Sequence, residues 1–382
     1  MQFKSIVGHK KLQKHLIQTY QAGRTAHAQI FLGAEGCGKL ALAIAYAQYL
    51  LCEAPTEEDS CGVCNACRKV QKLIHPDLHF SYPVVGTGNT SATFIKKWRE
   101  LLLETSYPSM QEWLTKLEAE QKKGNISKNE CVAIIQKFSL KSVEGAYKIL
   151  ILWMPEFLGK EGNRLLKLIE EPRPRTVFIL VAERQDKILN TILSRCQLLR
   201  ISRLDSQELK DYLSTHYAIT PDKAESVAYL AEGNIHKARQ WIAESTTKDY
   251  NQLFIDWLRL CFKGNGRDLV DWVEGVCSGK DLDRRTRAKL NRNDQHLFFQ
   301  YGLYFLREFT RLKIQGSSTK IRLKAKIREV AQKLTSVLSL AQVEALRTRF
   351  DEATYHLERN VNSKILLLDV SIEVHKILRS KQ

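Results

Sequence analysis

The feature that most constrains the fold is the run Gln29-Ile30-Phe31-Leu32-Gly33-Ala34-Glu35-Gly36-Cys37-Gly38-Lys39-Leu40, an apolar strand that enters a glycine loop and leaves it as a helix. It follows the phosphate-loop pattern of a glycine, four residues and Gly-Lys, in which bare backbone N–H groups cradle phosphate and the lysine reaches the outer phosphates. Gly33, Gly36, Gly38 and Lys39 are therefore candidate phosphate-binding residues. The pattern closes on a hydroxyl residue that holds Mg²⁺, and here Leu40 stands in its place. A leucine cannot ligate a metal, so the loop keeps the outline of a nucleotide site without one of its functional groups.

A strand, a glycine loop and a helix in that order call for an α/β fold, and the remaining strands are legible as apolar runs. The segment Ile149 to Leu152 has no polar alternation, as expected of a central parallel strand buried on both faces. Thr176 to Val181 reads the same way, and Leu78 to Tyr82 and Gln197 to Ile201 supply two more strands. With Ile30 to Leu32 these predict a five-stranded parallel sheet with helices on both faces. Helices are expected within Phe3 to Leu16, over Leu40 to Leu51, through Val132 to Ile135, and from Gly162 to a stop at Pro172. Residues from about 84 to 125 are polar and irregular, with an aromatic helical stretch around Trp98 and Trp113. They read as an insertion on the outside of the core.

Cys52, Cys61, Cys64 and Cys67 form the most specific local signal. Two overlapping Cys-x-x-Cys pairs and one cysteine a short way upstream supply four thiolates for one tetrahedral Zn²⁺. A four-cysteine set leaves no open coordination position, so the metal is expected to be structural. His75 and His79 are read as a strand entrance, not as ligands.

The chain of 382 residues carries a net charge of +17, which points to a polyanionic partner such as nucleic acid. Two basic clusters stand out, Arg284 to Lys289 and Lys320 to Arg328, the second alternating with aliphatics as a solvated amphipathic helix would. No run of eighteen apolar residues is present and the N-terminus lacks a signal-peptide layout, so no membrane association and a cytoplasmic location are expected. Beyond residue 202 the sequence shows helical periodicity alone. Capped starts lie at Asp205 and Pro221, and stripes at Leu253, Trp257 and Leu260, at Phe298, Phe299, Leu303 and Leu306, at Val330, Leu334, Val337 and Leu338, and at Ile365, Leu366, Val370 and Val374.

The glycine loop, the four-cysteine insert after the first long helix, Asn163 to Pro172, and Ser194-Arg195-Cys196 together resemble the bacterial clamp-loader branch of the AAA+ ATPases. That branch comprises the ATPase subunit (gamma/tau) and the non-hydrolysing delta-prime subunit of DNA polymerase III. The resemblance implies an AAA+ core over residues 1–202 with a zinc module at 52–67, a helical lid at 203–245 and an all-α oligomerisation collar at 246–382. Leu357 to Asn362 resembles the last helix of that collar.

A working member of the family would resemble this chain with Thr or Ser at 40, an Asp-Glu pair at 153 and 154, and an arginine near 236. The chain holds Leu40, Trp153, Met154 and His236. By that resemblance, loss of the metal-binding and water-orienting acids is expected to lower hydrolysis by several orders of magnitude, and Glu156 lies too far along to inherit the role. The departures point to the delta-prime branch, and by resemblance Arg195 is an arginine finger given in trans to a neighbouring ATP site. Zn²⁺ is the implied cofactor, with ATP or ADP binding left open by the surviving glycines and Lys39. The implied partners are the gamma/tau ATPase subunits and the delta subunit, with the sliding clamp and primed DNA reached through the complex. Two other readings are an active ATPase of the gamma/tau type and a stand-alone zinc-containing nucleic-acid-binding protein.

Overall fold

The structure is a computed structural model that describes residues 1–244, 250–278, 289–316, 323, 325–359 and 361–380. It divides into two compact units, Met1–Ala238 and Arg239–Gln382.

The first unit is built on five parallel strands, β1 (Ala28–Gly33), β2 (Leu78–Ser81), β3 (Lys148–Trp153), β4 (Thr176–Ala182) and β5 (Gln197–Ile201), in the order β2-β3-β4-β1-β5. Every residue of β3 and β4 is buried, which is why these segments carry no polar alternation. Because side chains alternate across a strand, Ile30, Leu32, Leu150, Leu152, Phe178 and Leu180 share one face. They form one core cluster with Ile134, Phe138, Leu165, Ile169 and Ile192 from the helices that cover them.

The opposite face receives a helix. α1 (Lys10–Gln21) precedes β1, and α2 (Lys39–Leu51) follows its loop and packs on β1, β3 and β4. All of α2 is buried, so its alanines serve close approach on every side. α3 (Asn65–Gln71) then packs on α2. The N-terminal segment differs from the single expected helix: Phe3–Ser5 is a 3-10 turn and α1 begins only at Lys10, after a left-handed His9.

The segment read as an insertion carries helices whose large aromatics turn inward. α4 (Ile95–Glu104) and α5 (Met110–Lys116) place Trp98 and Trp113 in full burial at 0% exposure. Trp98 stacks on Tyr82 at 4.2 Å and meets Trp153 at 5.1 Å, so these helices cap the end of β3. α6 (Lys128–Phe138), α7 (Leu166–Glu170) and α8 (Asn190–Leu193) complete the layers, and α9 (Ser206–His216) and α10 (Pro221–Leu230) pair with each other. The division between units falls within α11 (Ile235–Glu244).

The second unit contains α12 (Tyr250–Lys263), α13 (Gly266–Ser278), α14 (Arg292–Gln315), α15 (Ala325–Leu334), α16 (Leu340–Glu358) and α17 (Ser363–Arg379). Its core is aromatic: Phe254 lies within 6.0 Å of Phe298, Tyr301, Phe305 and Phe350. Trp257 Nε1 donates to Ser371 Oγ at 2.9 Å. Of the periodic stripes, Trp257, Phe298, Leu306, Leu338, Leu366, Val370 and Val374 are buried, whereas Val337 and Ile365 are exposed at the ends of their turns. Arg284 to Ala288, Lys320 to Arg322, Lys324 and Asn360, which belong to the basic clusters and the last helix noted above, lie outside the described residues.

Candidate functional site

Parallel strands put all their C-terminal ends on one sheet edge, and the glycine loop sits there because it follows β1. Gly36 and Gly38 have φ of +67° and +92°, a left-handed backbone that only glycine takes without strain. Gly33 lies against β5, where a methyl group would meet the Ile201 carbonyl at 2.6 Å. The loop therefore has the backbone of a phosphate cradle.

Its surroundings fill that cradle with the chain's own groups. Lys39, 5% exposed, donates from Nζ to Ala34 O at 3.1 Å and to Glu183 Oε1 at 2.8 Å. Glu183 directly follows β4 and reaches Lys39 across 144 residues of sequence. Glu35, beside this pair, is pushed above the usual carboxylate range by burial and then by the Glu183 charge.

The Tyr107 ring stands over Gly38, so close that a Cβ added there would lie 3.1 Å from it. Its hydroxyl accepts from Val7 N–H at 3.3 Å, and burial raises its pKa. His9 Nε2 bonds the Cys37 carbonyl at 2.7 Å. From the other side Ile235 N–H donates to Gly36 O at 3.0 Å, and the buried Asn234 presses its amide on Gly36 while accepting from Lys237 N–H at 3.0 Å. The space left among Gly36, Lys39, Leu40, Tyr107 and Trp153 is about 10 Å³. That is room for roughly one water.

The positions expected to carry catalytic acids are structural. Trp153 and Met154 are 1% and 4% exposed, with Met154 left-handed at φ +58°. Glu156 accepts from Glu183 N–H at 2.5 Å and Arg184 N–H at 2.8 Å through Oε1, so it holds the turn after β4. His236 Nδ1 lies 3.4 Å from Glu112 Oε1. Glu183 and Tyr107 had no sequence signal, since neither belongs to a local motif, and Asn234 lies in the helix start read for position 236 without a sign that it would reach the glycine loop.

Arg195 occupies the other edge. It follows α8 and precedes β5, whose register pairs Gln197 with Gln29 and Ile201 with Gly33. At about 3.3 Å per strand residue, the four steps from Gln197 to Ile201 span about 13 Å, and Arg195 lies in the turn beyond them, away from the level of its own glycine loop. Its Nε donates to Glu170 Oε1 at 2.5 Å and its Nη1 donates to Thr191 O at 2.8 Å and Ser194 Oγ at 3.1 Å. The Arg195 and Glu170 side chains are 33% and 43% exposed. A pair so exposed is worth about 0–1 kcal/mol and exchanges readily for another carboxylate or phosphate.

The four cysteines converge. Sγ atoms of Cys52, Cys61, Cys64 and Cys67 all lie within 4.8 Å of one another, and Cys61 and Cys67 are 3.9 Å apart. A tetrahedron with Zn–S bonds near 2.3 Å needs sulfurs about 3.8 Å apart, so the set fits a metal ion. Backbone N–H groups of Cys61, Cys64 and Cys67 donate to the sulfurs of Cys52, Cys61 and Cys64 at 3.2 to 3.4 Å. The N–H groups of residues 64 and 63 bring the Cys61 thiol down to about 7, while burial raises Cys52 and Cys67. The module is tied to the chain start: Asp59 accepts from Phe3 and Lys4 N–H, and Gln48 Nε2 donates to Ser60 Oγ. His75 and His79 stay outside it, the first 3.5 Å from Glu144 and the second edge-on to Phe138.

Against known proteins, the sequence profile described as DNA polymerase III, delta subunit, matches residues 8–205. The delta' subunit of DNA polymerase III from Escherichia coli is 26% identical over 219 residues, 57% of this chain and 55% of that protein. The tau subunit from the same organism is 26% identical over 62% of this chain and 32% of its own length. The delta' subunit of Bacillus subtilis is 26% identical over 53% of this chain and 50% of its own. The chain thus spans about half or less of the length of these relatives.

Proposed function

Because the chain belongs to the DNA polymerase III delta-subunit family of clamp-loader proteins, we propose that it is a delta-prime-type member, without ATPase activity of its own, that lends Arg195 to a neighbouring ATPase subunit. The observation that carries this reading is the opposition of two sheet edges. On one edge the loop's lysine is neutralised by Glu183 and its cradle is filled by Tyr107 and Asn234. On the other, Arg195 is partly exposed before the start of β5, more than about 13 Å from the level of that loop, so in this reading the phosphate it serves belongs to another chain.

In this reading residues 203–245 act as the lid and 246–382 as the collar, and Zn²⁺ held by Cys52, Cys61, Cys64 and Cys67 has a structural role. Such a metal would join the end of α2, at Cys52, to the segment at Cys61, Cys64 and Cys67 that opens α3. The partners are gamma/tau-type ATPase subunits and a delta subunit, acting in the cytoplasm on a sliding clamp and primed DNA. No described helix is long and apolar enough to cross a membrane.

A guanidinium at a transferring phosphoryl group contributes about 10³–10⁵ in rate at that site. The test is to assemble the complex with the Arg195→Ala chain. Assembly by size exclusion is retained, and turnover at the adjoining site falls by at least about 10³; unchanged turnover in a fully formed complex refutes the role. The match to tau favours a second reading, an active ATPase. ATP hydrolysis by the purified chain alone would establish it. Failure to assemble with a gamma/tau-type subunit would favour a stand-alone nucleic-acid-binding protein.

A further inference from the structure

A second concave site lies at the start of β3 and β4, on the sheet edge away from the glycine loop. It is a cavity of about 270 Å³, and its ionisable lining is wholly cationic: Lys141, Lys148, Arg173 and Arg175. Among the described residues, Lys141, Arg173 and Arg175 have no carboxylate within ion-pair distance. The acids nearby are already engaged. Asp77 accepts from the backbone N–H groups of Val143, Glu144 and Gly145 at 2.7 to 2.9 Å, and Glu144 pairs with Lys69.

Lys148 is the unusual member. It is 5% exposed, and its Nζ donates to the Leu140 and Lys141 carbonyls at 3.1 and 3.2 Å while standing over the Phe138 ring. An ammonium has three donors, so one remains. Burial, with Lys137 and Arg173 adding to it against Asp77, holds this lysine below its usual range. A buried cation beside further cations is stable only with a compensating anion or at a cost to the fold.

The backbone gives an independent indication. Arg175 has φ +60°, a left-handed conformation that a residue with a long side chain avoids. The turn is closed by Thr176 N–H donating to Arg173 O, and Lys148 N–H donates to Arg175 O at 2.9 Å, which fixes both arginines beside the lysine. Strain held by surrounding structure is characteristic of binding sites.

We propose that this cavity binds a phosphate-class oxyanion, with Lys148 inside it and Lys141, Arg173 and Arg175 around its opening. Guanidinium groups pair bidentately with phosphate oxygens, and a cavity of this size admits phosphate groups. The group comes either from free polyphosphate or from a nucleic-acid backbone, and the site is independent of the role of Arg195.

The test compares the full chain with its Lys141→Ala/Arg173→Ala variant, whose exposed substitutions leave circular dichroism and melting unchanged. Sodium tripolyphosphate binding is measured by calorimetry, and binding of a labelled primed oligonucleotide by anisotropy across a salt series. Tripolyphosphate binds the parent chain and at least tenfold more weakly the variant. If the oligonucleotide competes with tripolyphosphate, and the slope of log affinity against log salt drops by about 1–2 in the variant, the backbone phosphate is the ligand. If oligonucleotide binding is the same in both proteins while the tripolyphosphate difference persists, the ligand is free polyphosphate. No tripolyphosphate binding by the parent chain, or equal affinity in both proteins, overturns the proposal.

Discussion

Replacing Gly36 with alanine tests whether the glycine loop is locked by the chain itself. At φ +67° any Cβ is strained, and this one would lie 1.8 Å from Asn234 Oδ1. The left-handed backbone costs roughly 1–2 kcal/mol. Displacing Asn234 removes the acceptor for Lys237 N–H at the start of α11, about 1 kcal/mol, and strands a buried amide for about 1–2 kcal/mol more. Gly36→Ala should therefore destabilise by about 3–5 kcal/mol. Asn234→Gly removes the amide that presses on Gly36 and costs roughly a few tenths of a kcal/mol, since glycine is a tolerable cap. In the double variant no amide is left to displace, so mainly the backbone strain remains, about 1–2 kcal/mol. The double variant is then at least about 1 kcal/mol more stable than additivity requires. Urea unfolding of the parent and three variants measures this coupling. Additivity within about 0.5 kcal/mol, or a Gly36→Ala loss under about 1 kcal/mol, would refute the locked-loop reasoning.

Leu40→Thr, which restores the missing hydroxyl of the phosphate pattern, should not confer Mg²⁺-ATP binding in calorimetry, because Lys39 remains paired with Glu183 and about 10 Å³ remains above the loop. The chain should retain one equivalent of zinc by metal analysis, and both a strong chelator and Cys64→Ser should lower its thermal midpoint. Zinc retention should weaken as pH falls, because the thiolate ligands must be deprotonated to bind. Burial, then Lys137 and Lys148, lowers His79 from 6.5 to about 4. The unfolded chain therefore takes up this proton first, and stability falls as pH drops from about 6.5 towards 4. The loss is at most about 3 kcal/mol at one pKa unit per 1.36 kcal/mol, and His79→Phe should flatten it in acid-range unfolding curves.

The sheet was legible because a parallel strand buried on both faces must be apolar throughout, as Ile149 to Leu152 and Thr176 to Val181 are. The convergence of Cys52, Cys61, Cys64 and Cys67 was legible because their spacing itself suggests a metal site. Leu40, Trp153 and Met154 could be read as missing functional groups for the same local reason. What closes the loop was not legible. Glu183 is brought there by the pairing of β4 with β1, whereas Tyr107 comes from the segment between α4 and α5 and Asn234 from the start of α11. The burial of Trp98 and Trp113 was missed because an amphipathic aromatic helix does not encode which surface it covers. The pairing of Arg195 with Glu170, both in recognisable segments, depends on a turn-to-helix approach that no local pattern specifies.

The Lys39–Glu183 contact can also be viewed as competition between ligands. A carboxylate built into the chain is present at an effective concentration of millimolar or more, set by a short rigid path and not by the cell's composition. An incoming phosphate group must exceed that internal concentration before it reaches the ammonium, and must also displace Tyr107. The contact thus ties the state of the glycine loop to the turn after β4 that carries Glu183.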